Sequence, residues 1–189
     1  PAGLLEKNYS FDYGAVHFAV IDTEYFEKNR TAEMAAIRDW LQADLAATDK
    51  PWKIVILHRP PHTSLGNHNP QQRVREYICP VIEAAGVQIV FQGHNHLYER
   101  SQPINGVRYL TVGGTTVSTY PIKERQIASA FLKIDSSFLG RFEMEGPLFH
   151  FEMRNWEGAF IDQLYLNLAD PFRMDGALDD VPIRSSAGG

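Results

Sequence analysis

Five of the chain's seven histidines lie between positions 58 and 96. His58 follows directly after the apolar run W-K-I-V-I-L, and His94 and His96 follow the run V-Q-I-V-F-Q within the sequence G-H-N-H. Neutral imidazole is the commonest side-chain ligand for zinc, iron and similar ions. We therefore interpret His58, His94 and His96 as candidate metal ligands.

The elements around these histidines are expected to bring them together. The two apolar runs, at 52–57 and 87–92, predict buried strands because each is short and nearly continuous. A helical pattern lies between them at 71–85, which Pro80 should split and Gly86 should end. Strand, helix and strand in this order form a βαβ unit with parallel strands. Ligand sites form beyond the carboxyl ends of such strands, so the unit delivers the imidazoles to one sheet edge.

The other histidines have more ambiguous settings. His62 and His68 lie in the loop rich in Pro, His and Asn that follows His58. Each is open to three interpretations: a metal ligand, a proton donor that contacts phosphate, or a solvated loop residue. His17 and His150 each stand alone in their segments, and we expect them to be structural.

The residues by themselves leave the number of metal ions open. Three histidines suffice for a mononuclear zinc site that keeps a fourth position for water. A two-metal hydrolytic site also needs anionic ligands that hold the ions ~3.5–4 Å apart. No carboxylate in the sequence has an evident bridging spacing. Asp22 ends a strand and could face the same edge, but a cap on the Thr23 or Glu24 amide is the more common role.

The composition predicts one globular domain. The chain has 189 residues, of which 44% are hydrophobic and 22% charged, and this balance excludes disordered and fibrous classes. A net charge of −5 does not favour nucleic acid or an anionic membrane as the main partner, because both attract basic surfaces. The single Cys79 excludes an intrachain disulfide and a cysteine-based zinc cluster. The apolar runs are far shorter than the ~20 residues of a membrane helix.

The remaining pattern predicts an α/β layer followed by a β-rich layer. Residues 9–23 alternate as two strands that turn at Tyr13-Gly14, and residues 31–47 form an amphipathic helix that Thr31 could cap. Asn105-Gly106 predicts a later hairpin. Further short strands are expected at 131–134, 141–145 and 148–153.

Three sequence blocks together resemble the calcineurin-like metallophosphoesterases, and among these the purple acid phosphatases. The blocks are N-Y-S-F-D-Y-G-A-V-H-F-A-V-I-D-T, V-I-L-H-R-P-P-H and Q-G-H-N-H-L-Y-E-R-S-Q-P-I, and their order and spacing fit over residues 8–114. G-H-x-H alone is a weak pattern, but the other two blocks make it specific. The resemblance implies an α/β fold, the C-terminal half of an α/β/β/α sandwich that hydrolyses phosphoesters at a binuclear metal centre.

The resemblance also implies roles for the candidate ligands. Carried over by position, His58 and His94 would bind one metal, and His96 would bind the other. The expected cofactors are two divalent or mixed-valence ions, of iron, zinc or manganese.

The same carry-over assigns residues around the ligands. His68 lies ten residues after His58, where the purple acid phosphatases carry a histidine that binds phosphate or protonates the leaving group. We therefore favour His68 over His62 as the catalytic, substrate-binding histidine. Tyr98 and Arg100 belong to the family's Y-E-R motif and are expected to support the ligands, with Arg100 paired to a carboxylate.

The sequence departs from the family in one respect. The motifs D-x-H, G-D-x-x-D and G-N-H-[DE], which supply aspartate and asparagine ligands, do not occur. The G-N-H at 66–68 is followed by Asn69 and lies after the His58 strand rather than before it. We therefore expect residues 1–174 to be the C-terminal portion of a catalytic domain, followed by a polar, flexible tail at 175–189.

Several expectations follow from this interpretation. The chain's partners would be a phosphoester substrate and the N-terminal half of the same domain. Alone, it would be inactive and would expose apolar sheet surface and an unpaired edge. The family resemblance favours a secreted or periplasmic compartment. Two alternatives stay open: a non-catalytic interaction module on the same scaffold, and a mononuclear three-histidine zinc hydrolase.

Overall fold

The computed structural model of the chain describes residues 7–64, 68–114, 121–126, 128–134 and 137–169. The tail at 175–189 and the first two residues of the G-N-H sequence lie outside these ranges. The described residues form ten strands and four helices. In chain order the elements are β1 (Tyr9–Tyr13), β2 (Val16–Ile21), α1 (Glu24–Glu27), α2 (Thr31–Ala47), β3 (Trp52–Leu57), α3 (Gln72–Tyr77), α4 (Cys79–Ala84), β4 (Ile89–Gln92), β5 (Tyr98–Ser101), β6 (Arg108–Val112), β7 (Ser129–Lys133), β8 (Phe138–Glu145), β9 (Leu148–Asn155) and β10 (Phe160–Asn167).

The larger sheet is mixed and has the strand order β1-β2-β3-β4-β6-β5-β7. Strands β2, β3, β4 and β6 are parallel, whereas β1 and β5 run against their neighbours. The smaller sheet is antiparallel, in the order β10-β9-β8. The predicted βαβ unit is confirmed, because β3 and β4 pair in parallel with Ile54 opposite Ile89.

The helices between and beside these strands follow the sequence pattern closely. Pro80 splits the predicted helix into α3 and α4 and lies in the first turn of α4, where its missing N–H has no helical partner to lose. Helix α2 has the predicted bounds, but the expectation that Thr31 caps it is wrong. Arg30 occupies the cap position, and its side chain makes no capping hydrogen bond. Thr31 is instead the first helical residue, after a turn in which Asn29 has a φ of 52°.

Two apolar layers pack on opposite faces of the larger sheet. On one face, the stripe of α2 is at most 1% exposed and packs against β2, β3 and β4. On the other face, the two sheets pack against each other through the alternate residues of each strand. The helix-side stripe consists of Met34, Ile37, Leu41 and Leu45. The layer between the sheets includes Trp52, Ile54, Ile89, Tyr98, Leu110, Phe138, Phe149, Phe151 and Met153.

Among the described residues, β1 is the end strand of the larger sheet, and its aromatic side chains face solvent. Tyr9, Phe11 and Tyr13 are 47%, 46% and 78% exposed, as expected for an apolar edge. None of the described helices is both long enough and apolar enough to cross a membrane.

Candidate metal centre

His58 and His94 meet at the carboxyl edge of β3 and β4, as the sequence predicted. The Nε2 atom of His58 lies 3.3 Å from the Nδ1 atom of His94, and the two ring centroids are 5.1 Å apart. The backbone N–H of Gly93 donates to the carbonyl oxygen of His58 at 3.1 Å and ties the two strand ends together. Two neighbouring strands therefore present imidazole nitrogens to the same point.

The backbone of the G-H-N-H turn is unusual in two ways. His94 has a φ of 67°, in the left-handed region that residues other than glycine rarely adopt. Such strain persists only where surrounding contacts hold it, and it is concentrated at functional sites. Beneath the turn, a Cβ at Gly113 would lie 2.0 Å from the carbonyl oxygen of Asn95, so only glycine lets the end of β6 pass there.

His68 and Arg59 complete the surroundings of His94. The ring of His68 is exposed, and its centroid lies 4.1 Å from that of His94. Arg59 places Nη1 3.3 Å from Nε2 of His94. The guanidinium of Arg59 is itself held by Glu24, with Nε donating to Oε1 at 2.8 Å and Nη2 donating to Oε2 at 3.2 Å. Nη1 of Arg59 also lies 3.5 Å from Oε2 of Glu27, so the edge combines imidazoles with a guanidinium whose charge two carboxylates offset.

The electrostatic environment keeps His94 neutral. Burial, and to a smaller extent the neighbouring His68, Arg59 and His58, lower the pKa of His94 to about 4. Neutral imidazole is the form that binds a metal ion. The hydrogen bond from Arg59 lowers the pKa of Glu24, which therefore stays ionised as the partner of Arg59.

The third predicted ligand, His96, lies two residues after His94 and is partly buried. Its backbone nitrogen lies 3.6 Å from the position that a Cβ at Gly113 would take. In the described part of the chain, no group of three or more His, Cys, Asp and Glu side chains is arranged to hold an ion.

His62 lies apart from the His58–His94 pair, on the helix side of the sheet. Its Nε2 is 3.8 Å from Sγ of Cys79, and its ring centroid is 4.6 Å from that of Tyr109. The pKa of His62 is lowered to about 4, mainly by burial and to a smaller extent by nearby Arg75. Of the two loop histidines, His68 lies beside His94 and His62 does not, and a catalytic role for either stays a prediction from sequence.

A buried carboxylate joins the loop after His58 to the segment after G-H-N-H. Glu99 is 1% exposed and accepts hydrogen bonds from Oγ1 of Thr63 at 3.1 Å and from the backbone N–H of Ser64 at 2.7 Å. Asn95 donates through Nδ2 to the same Thr63 hydroxyl at 3.1 Å. This network, which the sequence did not reveal, fixes the two histidine-bearing loops relative to each other.

Tyr98 and Arg100 anchor the smaller sheet beneath the histidine edge. Arg100 donates from Nε at 2.8 Å and from Nη2 at 3.1 Å to the carboxylate of Asp162, and the Tyr98 hydroxyl donates to it at 2.7 Å. The predicted carboxylate partner of Arg100 is therefore present, and it joins β5 to β10. That this pair supports metal ligands stays a prediction.

Asp22 has the capping role rather than a place at the edge. Its Oδ1 accepts a hydrogen bond from the backbone N–H of Glu24 at 2.9 Å. The neighbouring Thr23 accepts from the backbone N–H of Arg59 at 2.7 Å through Oγ1. The end of β2 is thereby attached to the end of β3, beside the candidate site.

The comparisons with known proteins agree with this geometry. Residues 1–98, a little over half of the chain, match the calcineurin-like phosphoesterase family. The chain therefore belongs to the calcineurin-like phosphoesterases. Within them it belongs with the purple acid phosphatase-like branch, as its relatives and the fold show.

Two relatives illustrate the match. Purple acid phosphatase 18 of Arabidopsis thaliana is 34% identical over 116 residues, which are 56% of this chain and 26% of that protein. Acid phosphatase A of Cryphonectria parasitica is 32% identical over 114 residues, which are 51% of this chain and 23% of that protein. The match spans about a quarter of each relative's length.

Two solved structures share the fold. The purple acid phosphatase PPD1 from yellow lupin seeds has a TM-score of 0.73 at 21% identity, over 96% of this chain and 36% of that chain. GAP50, the anchor in the inner membrane complex of Plasmodium, has a TM-score of 0.71 at 19% identity, over 85% of this chain and 53% of that chain. The predicted α/β metallophosphoesterase architecture is confirmed by these likenesses.

Proposed function

We propose that the chain supplies part of the active site of a metal-dependent phosphoester hydrolase with a binuclear metal centre. The observation that carries the proposal is the approach of the His58 and His94 ring nitrogens to 3.3 Å at the carboxyl edge of the sheet. Family membership supports the same reaction class.

The chemistry of these side chains fits a divalent ion. His58 and His94 present two imidazole nitrogens from adjacent strand ends, and His94 is held neutral. They would hold one ion and His96 the other, with iron, zinc or manganese as the candidates. The remaining ligands would be carboxylates and an amide from residues outside this chain, because the described histidines form no complete cage. On this proposal residues 1–174 are the C-terminal portion of the catalytic domain.

The chain's own residues would bind and orient the substrate. Two bound metal ions would supply an activated water and neutralise charge on the phosphoryl oxygens. Arg59, fixed by Glu24 beside His94, would donate a hydrogen bond to an oxygen of the phosphoester. His68, exposed against the ring of His94, would contact the phosphate and hold the proton that the leaving alkoxide requires.

The test is His94→Ala in the protein extended by the coding sequence upstream of Pro1. We expect loss of bound metal and a fall in phosphatase turnover of at least about 100-fold. Removing a residue that only hydrogen-bonds to a metal ligand already lowers metal affinity or activity 10–100-fold. His150→Ala, which removes a histidine of the smaller sheet, is the matched control and should retain both properties. Retained metal and undiminished turnover in His94→Ala would contradict the proposal.

The 189-residue chain alone should bind metal weakly and hydrolyse little. Three neutral ligands do not offset the repulsion between two adjacent dications. Rapid hydrolysis of a generic aryl phosphate by the purified chain would show that no further ligands are needed.

Two other functions have specific support. The likeness to GAP50, an anchor protein, favours a non-catalytic interaction module on the same scaffold. The absence of a carboxylate with an evident bridging spacing in the sequence favours a mononuclear three-histidine zinc hydrolase. Elemental analysis separates them, since the main proposal requires two ions, the zinc hydrolase one and the module none. The acid phosphatases among the relatives lead us to propose a secreted or periplasmic compartment.

A further inference from the structure

The Arg59 guanidinium makes one contact that its pairing with Glu24 does not require. Its Nε and Nη2 atoms both donate to the Glu24 carboxylate, whereas Nη1 lies 3.3 Å from Nε2 of His94. A guanidinium has no acceptor and stays protonated in proteins, so Arg59 is the donor in this contact. Nε2 of His94 is therefore the acceptor and carries no proton.

This contact determines the tautomer of His94. An imidazole whose Nε2 carries no proton keeps its one ring proton on Nδ1. Nδ1 of His94 lies 3.3 Å from Nε2 of His58, which accepts the hydrogen bond from that proton. Arg59, His94 and His58 thus form a chain of hydrogen bonds that all run in the same direction.

The two facing ring nitrogens are also spaced for a metal ion. Two ligand atoms about 2.0–2.1 Å from a tetrahedral ion are about 3.3–3.4 Å apart, and Nε2 of His58 and Nδ1 of His94 are separated by 3.3 Å. An ion between them needs the lone pair of Nδ1, so the ring proton of His94 has to move to Nε2. Nε2 is then a donor that faces Nη1 of Arg59, which is also a donor. The Arg59 contact and metal binding therefore exclude each other.

We propose that Arg59 is a positioning residue, which holds His94 in the tautomer that cannot bind the ion and gives way when the ion binds. Glu27 offers the released Nη1 another acceptor, because its Oε2 lies 3.5 Å away. The bonds to Glu24 keep the guanidinium at the edge while Nη1 changes its partner. The inference rests on the proposed function, since it takes His58 and His94 as metal ligands. Arg59 would thereby weaken the metal affinity of the site.

The first test determines the His94 tautomer by nitrogen NMR of the imidazole rings in the metal-free 189-residue chain. We expect the proton on Nδ1, and we expect Arg59→Gln to shift the equilibrium towards Nε2, because the glutamine carbonyl is an acceptor. Arg73→Gln is the matched control, since it removes the same charge from a side chain that donates to the carbonyl of Phe26. It should leave the tautomer unchanged. A His94 ring protonated on Nε2 in the unmodified chain would overturn the inference.

The second test is a calorimetric zinc titration of the metal-stripped protein extended upstream of Pro1. Arg59→Gln should bind zinc about threefold to tenfold more tightly than the unmodified protein, the effect of one hydrogen bond. Arg73→Gln should bind within about twofold of it. Zinc should also move the His94 proton to Nε2 in the unmodified protein, a measurement that needs no variant. Equal or weaker zinc binding by Arg59→Gln, or a proton that stays on Nδ1 after zinc binds, contradicts the inference.

The two tests also separate this inference from the proposed function. If the unmodified protein binds metal and hydrolyses phosphoesters while Arg59→Gln changes neither the tautomer nor the zinc affinity, only the role of Arg59 falls. If Arg59→Gln binds zinc more tightly without a change of tautomer, the effect is one of charge and the role of Arg59 falls again. If the unmodified protein binds no metal, the proposed function falls and this inference falls with it.

Discussion

His17 and His94 occupy opposite kinds of environment in one fold. His17 has both ring nitrogens paired with carboxylates, Nδ1 with Asp12 at 2.8 Å and Nε2 with Asp44 at 2.8 Å. His94 has its nitrogens directed at His58 and Arg59, each at 3.3 Å. One imidazole therefore faces anions of its own chain, and the other faces nitrogen groups.

The difference separates a structural histidine from a candidate ligand. The pairs of His17 join β1, β2 and α2, and the imidazole is 6% exposed, so these contacts consume its hydrogen-bonding capacity. The surroundings of His94 disfavour its protonation. The unprotonated ring nitrogen therefore keeps a lone pair that could bind a metal ion. The neighbours that the fold provides, rather than the residue type, determine the role.

The largest expected effect is a loss of phosphatase activity that leaves the stability of the fold nearly unchanged. His58→Ala in the upstream-extended protein should lower phosphatase turnover at least about 100-fold, because a metal ligand is lost. His58 is exposed, so the free energy of unfolding should change by no more than about 0.5 kcal/mol. Steady-state kinetics and urea unfolding of the same preparations check both parts. A clear loss of stability would place His58 among the structural histidines.

The next largest effect is expected where the two histidine-bearing loops are joined. Glu99→Ala leaves the donors of Thr63 and Ser64 without their buried acceptor and should cost about 3 kcal/mol of stability. It should also weaken metal binding about tenfold, because the loops lose their relative position. Metal titration and urea unfolding measure the two effects. Glu99→Gln, which keeps one acceptor oxygen, should show smaller changes, and equal changes in both variants would argue against a positioning role.

His17→Ala should show the reverse pattern to His58→Ala. It should cost about 2 kcal/mol of stability, since the largely buried Asp44 keeps only its hydrogen bond from Ser10, and it should leave metal content unchanged. Asp12→Asn should cost less, because that side chain is 49% exposed. Urea unfolding and elemental analysis check these outcomes, and loss of metal in His17→Ala would erase the distinction between the two clusters.

The smallest effect concerns the pH dependence of stability at His62. The pKa of His62 is about 4 in the fold, below its ordinary value of 6.5, so the unfolded chain binds more protons between these values. Stability should therefore fall as the pH falls from about 6.5 towards 4, by about 1 kcal/mol once solvent screening is allowed for. His62→Gln should flatten this slope in urea unfolding at pH 7 and pH 4.5. An unchanged slope would show that His62 does not carry the effect.

The sequence predicted the strands and histidines of the site because their signals are local. Apolar runs bounded by His58 and by G-H-N-H mark both strand ends, and Pro80 marks the helix break. Arg59 and Glu24 lie 35 positions apart, as do Glu99 and Ser64, so their contacts depend on tertiary structure.

The bounds of β5, an arm of the predicted Asn105-Gly106 hairpin, and the whole of β10 escaped prediction for a related reason. Their segments carry Arg100 and Asp162, which do not suit a half-buried strand until the two charges pair across the sheets.

Metal stoichiometry tests the central claim most directly. Elemental analysis should find about two ions per chain in the protein extended upstream of Pro1, and a clear loss in His94→Ala, whereas His17→Ala should keep both ions. An unmodified protein that binds no metal, or a His94→Ala variant that retains two ions, would contradict the account.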